Sequence, residues 1–313
     1  MATLDGTHQP FKGILLMLVA TFLFSGHDAL SKYLCGFYPI MLVIWVRYLC
    51  HTLLMVGIFL PRTGLRVLRT NNLRWQALRA CSLLATSLFF ITSLQYIPLA
   101  EATAVNFLAP LMVAALSVPL LKEHVSRGQW IAVLTGFLGV MIIVHPGGEL
   151  FTPAILLPLC SATCFSFYQI LTRKLSETDS PTTSNFYAGI FCTLIMSCIV
   201  PFFWQVPTLL HALMMVALGG FGMSAHLLMT DAFRHAAPAL LAPFSYSQIV
   251  FAGLLGFVLF GHVPAPTTLL GISVICLSGV AAAWLQRRRP AVMISPEASA
   301  PYEAPSGTTR SAQ

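Results

Sequence analysis

Charged side chains inside long apolar segments are the first candidates for chemistry in this sequence. Asp28 and Lys32 are four residues apart in one such segment, so a helix would place them on the same face. At a rise of ~1.5 Å per residue, Asp28 lies about 9 Å before the turn that joins this segment to the next, and Arg47 lies about 12 Å after that turn. The two residues are therefore at similar depths on consecutive helices. We therefore predict that Asp28 pairs with Arg47, leaving positive charge for an anionic ligand. The alternative is a purely structural role, with the Asp28–Lys32 pair lowering the cost of burial.

Three further residues are candidates for proton coupling or gating. His51 follows Arg47 by about one helical turn, and histidine is the side chain that titrates near neutral pH. His226 and Asp231 lie near the end of another apolar segment and are expected to form a local polar cluster. The alternative for each is a packed polar group without a transport role. Glu101 is interpreted as a solvated structural residue at a helix end.

Uncharged polar residues complete a predicted substrate-binding site, which also includes Asn106, Gln169, Tyr246 and Gln248. Prolines near three of them would free backbone carbonyls, which membrane helices tolerate beside a cavity or a neighbouring helix. The Cys160/Cys164 spacing supplies only two ligands, whereas a structural metal site needs about four. The sequence contains no HExxH, GxSG, GxGD or P-loop motif. We therefore predict no metal, no cofactor and no catalytic residues.

The elements that must position these residues are membrane-spanning helices. Apolar residues make up 57% of the chain and charged residues only 9%, whereas a soluble domain carries roughly 25% charged residues. A net charge of +7 is also compatible with nucleic-acid binding. The basic residues are interleaved with apolar blocks, however, which is typical of membrane topology.

Ten transmembrane helices are expected. No Asp, Glu, Lys or Arg occurs between Asp179 and Asp231 or between Arg234 and Arg287, and each gap accommodates two spans of ~20 residues. Residues 1–10 and 287–313 would be cytoplasmic, the second as a disordered tail rich in Pro, Ser, Ala and Thr. The predicted helices cover residues 11–34, 39–60, 76–96, 99–121, 128–145, 152–174, 185–205, 208–230, 238–260 and 264–286.

The distribution of basic residues predicts the orientation. With ten helices, every Lys and Arg except Lys32 and Arg47 falls on the side that holds both termini. Basic loops remain in the cytoplasm, so both termini are predicted to be cytoplasmic in a bacterial inner membrane. The basic segment 61–75 is interpreted as an orienting loop, with lipid or partner binding as the alternative.

The two halves of the chain resemble each other. Residues 20–34 (ATFLFSGHDALSKYL) align without gaps with residues 161–175 (SATCFSFYQILTRKL). The offset predicts two five-helix repeats, 11–145 and 152–286. Because five is odd, the second repeat would be inverted, as in many secondary transporters. The identical pairs are Phe24/Phe165, Ser25/Ser166, Leu30/Leu171 and Leu34/Leu175.

Residues 98–140 (PLAEATAVNFLAPLMVAALSVPLLKEHVSRGQWIAVLTGFLGV) and 232–264 (AFRHAAPALLAPFSYSQIVFAGLLGFVLFGHVP) resemble the EamA family of the drug/metabolite transporter superfamily. With DALSKYL at 28–34, the resemblance covers residues 11–286. It is strongest to the subgroup of riboflavin and S-adenosylmethionine transporters and opine-metallophore exporters. This implies ten helices and alternating access. Many members have FGE where this chain has Phe260-Gly261-His262, whereas Glu123 retains the acidic residue of the first repeat and becomes a gating candidate.

The sequence therefore predicts a secondary transporter rather than an enzyme. Lys32 and Arg47 beside Asp28 suit a substrate with both carboxylate and amine, since charge-assisted hydrogen bonds are the strong ones. Export of a zwitterionic amino-acid-like compound or an opine-type metallophore is favoured. Uptake of riboflavin or S-adenosylmethionine is the alternative, and a channel or membrane-embedded enzyme is the alternative of another class. The expected partners are the substrate and the bilayer, with proton coupling and without nucleic acid.

Overall fold

The computed structural model describes residues 10–64, 69–121, 126–145, 151–175, 178–236 and 238–287. Glu123 lies outside these residues, as do most of the predicted N-terminal segment and the predicted tail beyond Arg287. Every regular element within the described ranges is helical.

Twelve α-helices and two short 3₁₀ segments, Pro153–Ile155 and Val200–Phe203, make up the described part of the chain. The α-helices are α1 (Pro10–Leu34), α2 (Ile40–Thr63), α3 (Leu73–Ser93), α4 (Leu99–Asn106), α5 (Ala109–Leu121), α6 (Arg127–Ile143), α7 (Leu156–Leu175), α8 (Pro181–Ile199), α9 (Leu209–His235), α10 (Pro238–Ser245), α11 (Ser247–Phe260) and α12 (Pro266–Arg287).

Two of the ten predicted helices are broken, which corrects the expectation of uninterrupted spans at 99–121 and 238–260. The first is interrupted at Phe107–Leu108 between α4 and α5, and the second at Tyr246 between α10 and α11. Proline accounts for the first break, because Pro110 lacks the amide hydrogen that would bond the Asn106 carbonyl four residues earlier. Pro110 follows the first break at the start of α5, and Pro243 precedes the second within α10.

Seven described helical segments are long and apolar enough to cross a membrane. They comprise α1, α2, the combined α4–α5 segment, α7 with its preceding 3₁₀ turn, α8, α9 and the end of α10 with α11. Apolar stretches of α6 and α12 are shorter, at 127–143 and 266–282. The chain is therefore a helical, multi-pass membrane protein.

The main helix pairings are symmetric between the two halves, because replacing each helix by its counterpart in the other half gives a pairing that is also present. When α1–α6 is matched in order with α7–α12, the pair α1–α9 corresponds to α7–α3, and both pack closely. Likewise α1–α11 corresponds to α7–α5, and α2–α9 to α8–α3. The pairs α2–α8 and α6–α12 each correspond to themselves.

The α6–α12 contact requires glycine on both helices. A Cβ on Gly139 would lie 2.9 Å from the carbonyl oxygen of Gly271, and a Cβ on Gly271 would lie 2.6 Å from that of Gly139. Either side chain would force the backbones apart, so these small residues permit the close approach common between membrane helices.

Candidate functional site

A polar cavity lies among α2, α3, α7, α8 and α9. It has about 30 Å³ of room for water, which roughly suffices for one or two molecules. Of the predicted candidates, Arg47, His51 and His226 line it. The other polar or aromatic lining residues, which the sequence analysis did not select, are Tyr48, Tyr168 and Asn185.

Arg47 is half-buried at this cavity and is held by neutral groups. Its guanidinium donates a hydrogen bond to the Ser87 hydroxyl at 3.3 Å and lies 5.1 Å from the centre of the Tyr48 ring. Tyr48 and Ser87 are themselves hydrogen-bonded at 2.6 Å. None of the ion pairs between residues that the structure describes involves Arg47.

The predicted Asp28–Arg47 pair is therefore wrong. One Asp28 oxygen lies 2.9 Å from Nδ1 of His27, and the other accepts a hydrogen bond from Gln248 at 3.2 Å. The depths along the two helices were similar, but depth does not determine which face of a helix meets which neighbour. α1 packs mainly against α9 and α11, so Asp28 meets α11 rather than α2.

Polar contacts join α1 to the start of α11, directly after its break. Ser25 donates to the Gln248 carbonyl at 2.9 Å, and the hydroxyls of Thr21 and Ser247 lie 2.8 Å apart. The sequence analysis selected Gln248 and Asp28 but missed His27, which is only 3% exposed. The sequence feature that could have identified His27 is its position directly beside an aspartate in an apolar helix.

Lys32 does not line the polar cavity. Its ammonium donates to the Ile97 carbonyl at 2.9 Å and lies 5.6 Å from the centre of the Phe260 ring. Nearby, Nε2 of His262 lies 2.9 Å from a carboxylate oxygen of Glu101. We refer to Lys32, Glu101 and His262 as the outer cluster.

Glu101 corrects a second expectation, because it is 2% exposed rather than solvated. The chain turns back at Gly261, whose left-handed backbone (φ 67°) is the conformation that glycine adopts most readily. This turn places His262 over the first turn of α4, where it covers Glu101. The pair is ionic only when His262 is protonated.

The remaining predicted binding residues are dispersed. The amide oxygen of Asn106 accepts a hydrogen bond from Ser161 at 2.9 Å, at the break between α4 and α5. Tyr246 packs against Phe107 and is buried in an apolar core cluster. Gln169 is half-buried on α7 but is not part of the cavity lining.

The predicted cluster of His226 and Asp231 is also divided. The His226 ring packs edge-on against Phe24 at 4.9 Å and lines the polar cavity. Asp231 instead lies 3.9 Å from Nδ1 of His235, one turn further along α9. Within the described residues, His, Cys, Asp and Glu side chains form no group of three that could hold a metal ion.

Arg79 was missed as a site residue, because the sequence analysis counted it among the orienting charges. It is 2% exposed and donates to the Tyr168 hydroxyl at 2.8 Å, the Thr172 hydroxyl at 2.6 Å and the Ser184 carbonyl at 2.7 Å. Its guanidinium also lies 4.5 Å from the centre of the Tyr168 ring. Arg79 thereby orients a side chain that lines the polar cavity.

A second set of polar contacts lies beside Arg79 and joins α3 to the segment before α8. Asp179 accepts hydrogen bonds from Gln76 at 2.7 Å and from Thr70 at 2.6 Å. We refer to Gln76, Arg79, Tyr168 and Asp179 as the inner cluster. The outer cluster is built from the end of α1, the start of α4 and the residues after α11, whereas Gln76 and Arg79 of the inner cluster lie in the first two turns of α3.

The model of the EamA-like transporter family matches residues 11–145 and 152–284. The chain belongs to the EamA-like transporter family. This confirms the family that the sequence resemblance indicated. A cavity between the helices of a bundle is a usual place for a small-molecule site, and its described lining comes from unbroken helices rather than from α4–α5 or α10–α11.

Curated relatives of this EamA-like protein have several named activities. It is 29% identical over 276 residues to the riboflavin transporter of Vibrio cholerae, covering 87% of this chain and 92% of the relative. It is 26% identical to the S-adenosylmethionine uptake transporter of Rickettsia bellii, covering 83% and 88%. It is 25% identical to the pseudopaline exporter of Pseudomonas aeruginosa, covering 86% and 95%.

A solved crystal structure shares the fold of this EamA-like protein. The match has a TM-score of 0.63 at 23% identity and covers 91% of this chain and all of the other. The family identifies the protein as a membrane transporter, and the solved structure shows that its fold is shared.

Proposed function

We propose that this protein is a secondary transporter that exports a carboxylate-bearing, zwitterionic metabolite by alternating access. Amino-acid-like compounds and opine-type metallophores are the favoured substrates. The observation that supports this proposal best is Arg47, a cation at the polar cavity without a carboxylate partner among the described residues.

The lining of the polar cavity favours an anionic group. It contains no Asp or Glu, and His51, His226, Tyr168 and Asn185 supply further polar groups around the guanidinium. Charged residues inside membrane proteins are costly and are retained mainly for function. A guanidinium binds a carboxylate through two parallel hydrogen bonds, which neutral ligands cannot match.

The described conformation is closed to such a substrate. Sites for small molecules usually have volumes of roughly 300–1,000 Å³, whereas the polar cavity has about 30 Å³ of room for water. We propose that the outer and inner clusters are the two gates. Each consists of polar contacts between helices of different halves, so each can open as the halves move relative to one another.

We further propose ten crossings, arranged as two inverted five-helix repeats at 11–145 and 152–286. The symmetry of the helix pairings between the two halves supports the repeats, and the two broken helices occupy corresponding positions in them. The distribution of basic residues supports cytoplasmic termini in a bacterial inner membrane. The inner cluster then faces the cytoplasm.

Transport assays in proteoliposomes test the role of Arg47, with S-adenosylmethionine and its decarboxylated form as probes. Loss of a charged hydrogen-bond partner costs roughly 1.5–3 kcal/mol, equivalent to about 10–100-fold. Arg47→Gln should reduce S-adenosylmethionine transport by that factor, and wild-type protein should strongly prefer the carboxylated probe. Arg74→Gln is the matched control, because Arg74 is exposed on α3. Equal transport of both probes by wild type would exclude carboxylate recognition.

Uptake of riboflavin or S-adenosylmethionine is the second candidate, favoured by the similarity to the Vibrio and Rickettsia relatives. Riboflavin has no carboxylate and would depend on aromatic contacts such as Tyr168. Deletion of the gene separates the candidates. Export predicts that a zwitterionic metabolite accumulates inside the cell, whereas riboflavin uptake predicts failure of a riboflavin auxotroph on low riboflavin without that accumulation.

A further inference from the structure

The most unusual titratable group outside the cavity lining is the His27–Asp28 pair on α1. The His27 side chain is 4% exposed and the Asp28 side chain 12%, and His27 Nδ1 lies 2.9 Å from the carboxylate. Gln248 donates to the second carboxylate oxygen at 3.2 Å. The pair is therefore built into the interface between the two halves.

The contacts of His27 determine which ring nitrogen carries hydrogen. Because Nδ1 faces a carboxylate, it is the donor, and in a neutral imidazole the other nitrogen is then an acceptor with a free lone pair. That nitrogen, Nε2, is fully buried and has no hydrogen-bond partner among the described residues. Buried polar atoms are almost always paired, so an unpaired basic nitrogen requires an explanation.

The His27 ring lies beside Gly222 of α9. A Cβ built on Gly222 would lie 3.8 Å from Nε2 and 3.4 Å from the adjacent ring carbon. Gly222 is itself part of the cavity lining. Because Gly222 has no side chain, the His27 ring edge packs directly against a residue that lines the cavity.

We propose that His27 and Asp28 form a proton-binding site that couples transport to proton movement. Nε2 accepts one proton from cavity water, forming an N–H bond, and returns it to water when the cavity opens to the other side. The pair changes from a neutral imidazole with a carboxylate, net charge −1, to an imidazolium with a carboxylate, net charge 0. The proton comes from hydronium, whose O–H bond breaks as the N–H bond forms and leaves neutral water, and no other covalent bond changes.

This site deepens the proposed function, on which its coupling role depends. With its proton the pair is neutral overall, whereas without it the carboxylate attracts a cationic group in the adjacent cavity. A proton and the ammonium group of a zwitterionic substrate therefore compete for the same negative charge. Such competition is the requirement for antiport, in which proton entry drives export.

Other charged and titratable groups face this pair from neighbouring helices. From α9, His226 is close enough to His27 to interact electrostatically, and from α2, Arg47 is as well. His51 lines the same cavity one turn beyond Arg47. On α1 itself, Lys32 lies one turn further from Asp28. α10 and α11 contribute no charged side chain in their described parts, and Gln248 supplies their described polar contact with Asp28.

Nitrogen-15 NMR of the full chain with labelled histidine tests proton binding directly, with the proton itself as the ligand. The signals of His27 are assigned by their loss in His27→Gln. At high pH the spectrum should show a neutral ring with hydrogen on Nδ1, and on acidification Nε2 should gain one proton between about pH 9 and 4. A ring with hydrogen on Nε2, or one that stays neutral throughout, would overturn the proposal.

Transport by proteoliposomes tests the coupling, with S-adenosylmethionine as the probe. His27→Gln should abolish accumulation driven by a pH gradient but retain exchange between labelled and unlabelled probe. Gly222→Ala should reduce gradient-driven accumulation at least severalfold, because its methyl group covers the ring edge at an ordinary contact distance. Gly220→Ala is the matched control, since no atom lies within 4 Å of its Cβ position.

The outcomes distinguish coupling from transport itself. Loss of gradient-driven accumulation with retained exchange supports the proton site, and unchanged accumulation in His27→Gln refutes it. If wild-type protein does not move the probe at all, the proposed substrate class fails, and the NMR titration still decides whether His27 and Asp28 bind a proton.

Discussion

Two arginines, the half-buried Arg47 and the buried Arg79, differ in how many of their hydrogen-bond donors the protein itself pairs. Arg79 has three hydrogen-bond acceptors and an aromatic face, all supplied by α7 and α8. Arg47 has one hydroxyl and one aromatic ring. A guanidinium offers five donors, so Arg79 is largely satisfied by the protein, whereas Arg47 retains donors for a ligand.

Replacement of Arg79 by lysine should therefore destabilise the protein, although lysine retains the positive charge. An ammonium lacks the planar fork that reaches several acceptors at once. Loss of one to two charged hydrogen bonds predicts a decrease of about 2–4 kcal/mol in the free energy of unfolding. Thermal unfolding in detergent measures the effect.

Arg74→Lys is the control for this substitution, because Arg74 lies on the same helix but is exposed. It should leave the unfolding temperature unchanged. Equal stability of the Arg79 and Arg74 variants would show that the inner cluster contributes nothing to the folded state.

Residue type predicted part of the candidate site. Arg47, His51 and His226 were found because charged or titratable groups in apolar helices are rare, and all three line the polar cavity. The predicted pairing of Asp28 with Arg47 is wrong, and neither Asp28 nor Lys32 is among the residues that line the cavity. Sequence spacing gives the face and depth of a residue on its own helix, but the rotation of neighbouring helices depends on packing along their whole length.

The two broken helices are stabilised by corresponding serines. Ser25 on α1 donates to the carbonyl of Gln248, just after the break between α10 and α11. Ser166 on α7 donates to the carbonyl of Ala109, just after the break between α4 and α5. These serines are one of the identical pairs in the alignment of the two halves. A carbonyl in the first turn of a helix already accepts from the amide four residues further on. Each serine therefore adds a second hydrogen bond, which ties α1 to the start of α11 and α7 to the start of α5.

We predict similar losses of stability for Ser25→Ala and Ser166→Ala. Each substitution leaves a carbonyl without its side-chain donor, which costs about 0.5–1.5 kcal/mol. Ser273→Ala should be nearly neutral in the same unfolding assay, because the exposed Ser273 hydroxyl donates within its own helix to Leu269. A large effect at one serine and none at the other would argue against equivalent roles.

The outer cluster permits a double-mutant prediction. His262→Ala would remove the partner of a buried Glu101 oxygen, and the second oxygen is also buried without a partner among the described residues. The expected cost is about 1–3 kcal/mol. The combined variant Glu101→Gln with His262→Ala should lose less stability than the sum of the single variants.

His145→Ala is the control for the outer cluster, because Nδ1 of His145 contacts only a carbonyl at the end of its own helix, Ile142, among the contacts described. Additive effects of the Glu101 and His262 substitutions would show that the 2.9 Å contact contributes no coupling energy.

Hydropathy and charge spacing located the helices but not their interruptions. All ten predicted segments overlap helices of the structure, since a long apolar run has few alternatives in a membrane. The breaks at Phe107 and Tyr246 could not be placed from proline alone. Pro61 and Pro119 also lie inside helices, α2 and α5, without dividing them. Whether proline breaks a helix depends on neighbouring groups that donate hydrogen bonds to the freed carbonyls.

At the scale of the whole molecule, the two halves are interleaved rather than side by side. α1 packs along α9 of the other half, and α3 packs along α7. One apolar core cluster is built from α4–α6 with α11 and α12, and another from α1–α3 with α8 and α9. Each core therefore contains helices from both halves, and the polar cavity adjoins the second.

Reporter fusions test the proposed orientation of this arrangement. A fusion after residue 71, in the segment between α2 and α3, should behave as cytoplasmic, because the basic residues of 61–75 are retained on that side. A fusion after residue 96, between α3 and α4, should behave as external. Tyr96 is 66% exposed there, and α3 separates the two sites. Alkaline phosphatase activity, which requires export, should be high only at residue 96, and a fluorescent protein that folds in the cytoplasm should show the opposite.

The reverse pattern would place the termini outside and exchange the sides assigned to the inner and outer clusters. Equal activity at both sites would mean that α3, with its buried Arg79, does not cross the membrane.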